Sequence, residues 1–475
     1  MSIPTIPVLR QGVEYASYDH VELKSVRTGE IVARVAQANA ALIKRDARRL
    51  DRSCLEHFSV QELLTMTKEA GRHFLEGTLP VGDQLQTPED YICQLSETSG
   101  LPHALVRRNM AKIHQVFTQI DTILAGLSRG LDLGILDCLY GRQNGIPVAY
   151  FPTAPFLGVV LPSNSPGVNS LWMPSVALKT PLVLKPGREE PWTPFRIIQS
   201  FIAAGVPAEA FSFYPTDHEG SSALMDASKR ALIFGDASTV QKYATNPGVE
   251  VHGPGWSKII IGNDCIENWP DYVDVIATSI SANGGRSCIN ASTIVVPKYA
   301  AEIAEAVAAK LADVFPRGPA DPDAILSGFA NPKMADMMDA AIDAALQTPG
   351  AVDCSANKHE GTRKVLQDGC SYLHPTLIYC TSWEHPLAGI EYMFPFAQVI
   401  EIPQAEMLGK IGQSLIVTAI TTDSDFLAEI MACPHIDRLN VGALPTSHVE
   451  WDQPHEGNLF EFLYRRRSIQ WEQPI

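Results

Sequence analysis

From residue 156 onward, short apolar runs alternate with longer stretches of helical periodicity, and this alternation restricts the fold more than any other feature. The runs at 157–161, 181–184, 211–214 and 231–234 are too short for buried helices, and each is followed by a segment such as 194–204 with a period near 3.6. Strands apolar on both faces belong in a mostly parallel sheet covered by helices. The pattern restarts near residue 250, with apolar stretches at 259–261 and 293–296 and an Ala-rich helical stretch at 300–312. Ahead of the alternation, Ile113, Val116, Ile120, Ile123, Leu124 and Leu127 share one helical face within 101–127. The chain is therefore expected to be an α/β protein in three parts. A helical segment and first sheet occupy 1–250, a second α/β unit 251–431, and a tail at 432–475, rich in Pro, His, Arg and aromatics, wraps over another surface.

Composition narrows the partners. The 475 residues are 45% hydrophobic and 19% charged, enough for a large core over two or three domains. Against 53 acidic residues there are 37 basic ones, and the formal charge of -16 repels phosphate backbones and anionic membranes. No nucleic acid and no membrane are expected as partners. Arg465-Arg466-Arg467 is too short a basic run to change this and reads as a surface or subunit contact. The N-terminus shows no cationic segment followed by an apolar one, and Lys179 interrupts the longest apolar stretch, so a cytoplasmic chain is expected. Nine scattered cysteines, never spaced Cys-x-x-Cys, predict free thiols and no metal site.

Cys288 follows Asn283-Gly284-Gly285-Arg286-Ser287, between a helix-like stretch and an apolar strand. Glycines before a thiol permit a tight backbone approach and an exposed sulfur, as a nucleophile requires; inert packing is the alternative, and it is the reading given to the other eight cysteines. Asn164 lies directly after a strand, where its amide can donate to a developing oxyanion or simply shape a turn. Lys185 ends the next strand, as a ribose or phosphate contact or as a surface lysine. No Gly-x-Gly-x-x-Gly follows any strand. Ser238-Thr239 can instead open a helix toward a pyrophosphate, or form a plain N-cap.

Taken in order, Pro162-Ser163-Asn164-Ser165-Pro166, Leu184-Lys185-Pro186, Phe234-Gly235-Asp236-Ala237-Ser238-Thr239, Gly284-Gly285-Arg286-Ser287-Cys288 and Glu391-Tyr392-Met393-Phe394-Pro395 resemble the aldehyde dehydrogenase superfamily over nearly the whole chain. The resemblance implies a Rossmann-like NAD(P)-binding domain, a catalytic α/β domain carrying Cys288, and a small oligomerisation element, in a homodimer or homotetramer. It implies an oxyanion hole of Asn164 and the Cys288 N–H, Lys185 on the adenosine ribose, and Glu391 on the nicotinamide ribose. Pro162, Ser163, Ser238 and Thr239 would complete the cofactor side.

Departures from the family pattern refine this. Hydrolytic members carry Glu-Leu-Gly-Gly-Lys, where this chain reads His252-Gly253-Pro254-Gly255-Trp256-Ser257-Lys258 without a carboxylate. Positioned general-base help is worth roughly 100- to 10,000-fold, so water attack on an acyl-cysteine should be slow here. The Gly-Pro-Gly loop and Glu391-Tyr392-Met393 resemble the CoA-acylating branch, implying an acyl-CoA reductase that takes an aldehyde or acyl-CoA, with CoA as co-substrate. The alternatives are a hydrolytic enzyme using His252 or Glu250 as base, and a non-catalytic nucleotide-binding scaffold. Arg188 falls where NAD-preferring relatives place a glutamate, which favours NADP while leaving NAD open. Trp172, Trp256 and Phe394 are candidates for a substrate wall. The segment 455–462 departs from the family ending and is expected to pack, with Phe460 or Phe462 at the substrate mouth as the alternative.

Overall fold

Strands that are apolar on both faces must be covered on both, and the chain solves this twice. The computed structural model describes residues 3–470 and Glu472, with two seven-stranded sheets. The first runs, in spatial order, Val249–His252, Ala231–Phe234, Leu157–Val160, Leu182–Lys185, Phe211–Phe213, Val8–Arg10 and Val13–Tyr15. Its first five strands are parallel, and helices such as Trp192–Ala203 and His218–Ala227 connect them. The four strands expected from the apolar runs are all present. The short strands before residue 36 were not foreseen: Val8–Arg10 and Val13–Tyr15 extend the sheet edge antiparallel, and His20–Lys24 pairs with Ile31–Ala36. Segments of two to six residues are too brief for a period to show, so the N-terminal part opens on strands and becomes helical only at Ala40–Ala47.

Strand order has a consequence for the site. Leu157–Val160 lies between Leu182–Lys185 on one side and Ala231–Phe234 on the other. The chain leaves it toward Leu182–Lys185, while the neighbour on its other side, Ala231–Phe234, leads away toward Val249–His252, and this reversal of strand order opens a crevice at the carboxyl ends of the strands. The turns holding Asn164, Lys185 and Thr239 all start there.

The second sheet runs Ala351–Asp353, Thr376–Cys380, Phe396–Glu401, Ala291–Val296, Ser257–Ile261, Ser414–Ile420 and Ile436–Val441, and only its first strand is antiparallel. Its last strand lies beyond the expected boundary at 431. Asp437, Arg438 and Asn440 make that strand look polar, because an edge is open to solvent on one side. The chain then crosses back to the first unit, where Asn458 Nδ2 donates to Leu127 O at 2.9 Å. Tyr464–Arg467 finally pairs with Ile146–Pro152, which pairs with Tyr140–Gln143, in a separate three-stranded sheet. Phe460 is buried between Tyr150 and Tyr464 of the same chain. No described helix is long and apolar enough to cross a membrane, and all nine cysteines are unpaired.

Candidate active site

The carboxyl ends of the first sheet face the amino ends of the second, and the residues of interest gather in that seam. Cys288 lies between the helix Val273–Ser281 and the strand Ala291–Val296. The chain turns there through left-handed backbone at Asn283, Gly284 and Gly285, and a Cβ on Gly285 would lie 2.2 Å from Pro395 N. Two side chains lock the turn. Asn290 accepts from Ser287 N at 2.9 Å and donates to Ser279 O and Ala282 O, while Asn283 donates to Ser165 Oγ at 3.1 Å and Ser287 Oγ at 3.0 Å. The 253–256 loop crosses directly over this turn: a Cβ on Gly255 would come within 1.8 Å of Cys288 O, which also accepts from Ser257 Oγ at 2.8 Å.

Burial pushes the Cys288 thiol well above the ordinary thiol range; Glu456 and Glu391 push the same way and Lys112 opposes them. The resting group is a protonated thiol, and it becomes a nucleophile only when a base takes its proton.

Four expected residues lie on the segments that surround the cysteine turn. Asn164 Nδ2 donates to Arg286 O at 2.8 Å, two residues from the sulfur-bearing position. Glu391 accepts from Gly255 N at 3.2 Å and Trp256 N at 2.5 Å, so it holds the crossing loop in place. Burial moves that carboxyl up to about 7. His252 ends the last strand of the first sheet, its ring stacked on Phe234 at 4.6 Å. Glu250 projects from the same strand face two residues earlier, and burial raises its pKa.

One residue of this cluster was not singled out from sequence. Glu456 Oε2 lies 2.8 Å from His252 Nδ1, with the two side chains 17% and 3% exposed. The pair is within ion-pair reach but not aligned as a hydrogen bond, which leaves both ring nitrogens without a hydrogen-bond partner. Burial opposes protonation of His252, yet the fields of Glu456 and Glu250 outweigh it and its pKa is raised. The available signal was an acid beside His455 and Gly457 in an otherwise aromatic tail.

Lys185 and Arg188 lie outside this cluster, in a neighbouring cleft with Leu23, Val35, Gly187 and Thr216. Among the described residues neither cation has a hydrogen-bond or ion-pair partner. Burial lowers the Lys185 pKa, with Glu189 opposing. Pro162 and Ser163 buttress the Lys185–Arg188 turn: Ser163 Oγ accepts from Glu189 N at 3.2 Å, and Pro162 O lies against Gly187. Ser238 and Thr239 do not open their helix. It begins at Ala237, and Asp236 caps it by accepting from Thr239 N at 3.0 Å and Ser238 Oγ at 2.6 Å, so the expected anion-facing N–H meets a carboxylate of this chain.

The aromatic candidates divide. Trp172 is fully buried and donates to Asn169 Oδ1, and Phe394 packs with Tyr392 and Phe396, so both are core; Trp256 stays half-buried in the crossing loop. Away from the seam, Glu89, Cys93 and His103 bring ligand-type atoms within 4.8 Å of one another, which a sequence without paired cysteines did not announce. Arg107 already donates to both oxygens of that Glu89.

A glycine-flanked cysteine at the amino edge of one parallel sheet, set against the switch-point crevice of another, defines a two-unit α/β protein suited to covalent work on a ligand held between them. The aldehyde dehydrogenase family model matches residues 86–411. The chain belongs to that family, and the fold is the aldehyde dehydrogenase α/β fold. An indole-3-acetaldehyde dehydrogenase solved with NAD+ superposes with a TM-score of 0.80 at 18% identity, over 99% of this chain and 97% of that one. The aldehyde dehydrogenase KauB from Pseudomonas aeruginosa gives 0.80 at 16%, covering 98% and 96%. An NAD-dependent aldehyde dehydrogenase from Sinorhizobium meliloti gives 0.79 at 15%, covering 99% and 96%. No match was found among curated proteins. The comparisons support the family, without singling out its CoA-acylating branch.

Proposed function

We propose that this chain oxidises an aldehyde with a nicotinamide cofactor, through a covalent intermediate on Cys288, and releases the carboxylic acid by hydrolysis. The observation that carries this reading is the His252–Glu456 pair at the root of the 253–256 loop, which crosses the nucleophile turn. The 252–258 loop lacks a carboxylate, which from sequence argued for a CoA-acylating outcome. The tail returns one to the same place, and the hydrolytic alternative becomes the better reading. The relatives named above are aldehyde dehydrogenases, one in complex with NAD+ and one described as NAD-dependent.

Lys185 and Arg188, two unpartnered cations at the switch-point edge, fit an adenosine ribose, and the same pair suits either NAD or the 2′-phosphate of NADP. When bound, the nicotinamide accepts a hydride. The Cys288 sulfur bonds to the aldehyde carbon as its proton passes to His252, which releases it to solvent, and the carbonyl oxygen takes up negative charge. In this reading Asn164 Nδ2, which donates to Arg286 O in the resting site, and the Cys288 N–H donate to that oxygen. Loss of hydride from the same carbon leaves a thioester. The His252–Glu456 pair then takes a proton from water as the water oxygen bonds to the acyl carbon; the C–S bond breaks and the thiol is restored.

The test is aldehyde-dependent reduction of NAD or NADP, with and without CoA, in the wild type and Cys288→Ala. Equal rates without CoA and loss of about a thousandfold or more in the variant are expected. Strict CoA dependence would restore the acylating reading, and an inert, unalkylatable Cys288 would favour the scaffold.

A further inference from the structure

A polar cleft distinct from the Lys185 crevice reaches the nucleophile turn. Ser287 and Ile289, on either side of Cys288, line it together with Asn283 and Ser165. Its far wall is one face of the helix His103–Thr118, which presents Leu105, Arg108, Asn109, Lys112 and Gln115. Arg108 and Lys112 are four residues apart on that face. Like charges at this spacing destabilise a helix unless something answers them. Within this cleft nothing does: among the described residues neither side chain has an ion-pair or hydrogen-bond partner, and no Asp or Glu lines it; Lys112 also borders an adjoining pocket with Glu250, Glu450 and Glu456, none of which is within ion-pair distance of it. In a chain with a net charge of -16 that is a local reversal of sign.

Lys112 is the inner of the two. Its Cδ lies 4.0 Å from the space above Gly167, so its stem runs along the turn that carries Asn164. The neighbouring groups do not neutralise it. His448 is already paired with Glu450 at 2.8 Å, and Arg438, bonded to His455 Nδ1 at 2.7 Å and His448 O at 2.9 Å, adds positive charge. Glu391 and Glu456 are engaged with the crossing loop and with His252.

We infer that this cleft selects aldehydes carrying a carboxylate at the far end of a short chain, with Lys112 as the cation that receives the carboxylate and Arg108 as the outer charge that draws it in. The inference rests on the aldehyde-oxidising reading above and names its substrate class. A carboxylate supplies the charge the helix face lacks, and anchoring it in a partly dry cleft sets the distance between the aldehyde carbon and Cys288.

The experiment compares kcat/KM for succinate semialdehyde and glutarate semialdehyde with butanal and pentanal, in wild type, Lys112→Met and Lys112→Arg. The wild type should prefer the anionic member of each pair. Lys112→Met should lower that preference about 100-fold, and Lys112→Arg should restore much of it. A second readout does not need turnover: glutarate should slow alkylation of Cys288 by iodoacetamide in the wild type and fail to do so in Lys112→Met. A preference near unity in the wild type, or one unchanged by Lys112→Met, overturns the inference while leaving aldehyde oxidation standing. Should neither aldehyde be oxidised, the alkylation result decides the cleft separately: protection that depends on Lys112 sustains it, and no protection overturns it. A Lys112→Met effect confined to the KM for CoA would assign the cation to a cofactor phosphate and also overturn it.

Discussion

Two lysines lie near the Cys288 turn, and the protein treats them in opposite ways. Lys258, on the crossing-loop side, is buried and donates to Trp256 O, Gln413 O and Ser414 Oγ at 2.5, 3.2 and 2.9 Å. Burial lowers it to about 8, with Glu391 opposing. Lys112, on the cleft side, is also lowered by burial but has no partner among the described residues. A cation with three oxygens of its own chain ties strand entries together, whereas one left with none is poised for a ligand. A milder form of the contrast separates Asn290, whose amide is fully engaged within the turn, from His252, whose ring has the Glu456 ion-pair contact but no aligned hydrogen bond.

If that contrast is functional, groups not hydrogen-bonded into the fold should cost activity when replaced and fully hydrogen-bonded ones should cost stability. The largest effect is expected at His252. His252→Asn should slow hydrolysis of an acyl group preloaded on Cys288 by roughly 100- to 10,000-fold. Glu456→Gln should slow it less and should also move its pH profile. His252 must be unprotonated to act, so the rate rises with pH through a pKa that Glu456 holds above the usual histidine value. Without that charge the rising limb should shift to lower pH. A profile that stays in place would reduce Glu456 to packing.

Next in size is Lys258→Met, which strands buried acceptors and should lower unfolding free energy by about 2–4 kcal/mol in denaturant titration. Glu190, also buried, refines the comparison through pH. Burial pushes it up to about 8 even though Thr193 N donates to it at 2.9 Å and the Thr193 hydroxyl donates as well. Its protonated form is favoured in the folded state, so its stabilising contribution is complete below the unfolded value near 4.5 and is lost as pH rises toward 8. Glu190→Gln should flatten the fall in thermal midpoint over that range by a few degrees, and an unchanged slope would show that Glu190 does not control it. The smallest effect belongs to Lys112→Met, expected within about 0.5 kcal/mol of wild type. A large loss there would mean that Lys112 is structural after all, and the contrast would fail.

Much of this was legible before folding. Runs such as 157–161 and 231–234 announce parallel strands because fully buried strands have no polar face to disguise them. Gly284-Gly285 before Cys288 announces a tight turn because left-handed backbone strongly favours glycine. The strand Ile436–Val441 was hidden by its exposed edge, and Ser238-Thr239 looked like a helix start because Asp236 is an equally good cap two positions earlier.

The amino-acid order by itself determined the parallel core of the first sheet, the opening of the second α/β unit, the cysteine turn and the family resemblance, since each rests on local periodicity or on motifs contiguous in the chain. Only the tertiary structure decided which charges meet. Glu456 reaches His252 because the tail crosses back over the first unit, and Lys112 faces Ser287 because one helix closes the cleft. Such pairings depend on where distant segments dock, and electrostatic energies follow distance in space rather than position along the chain.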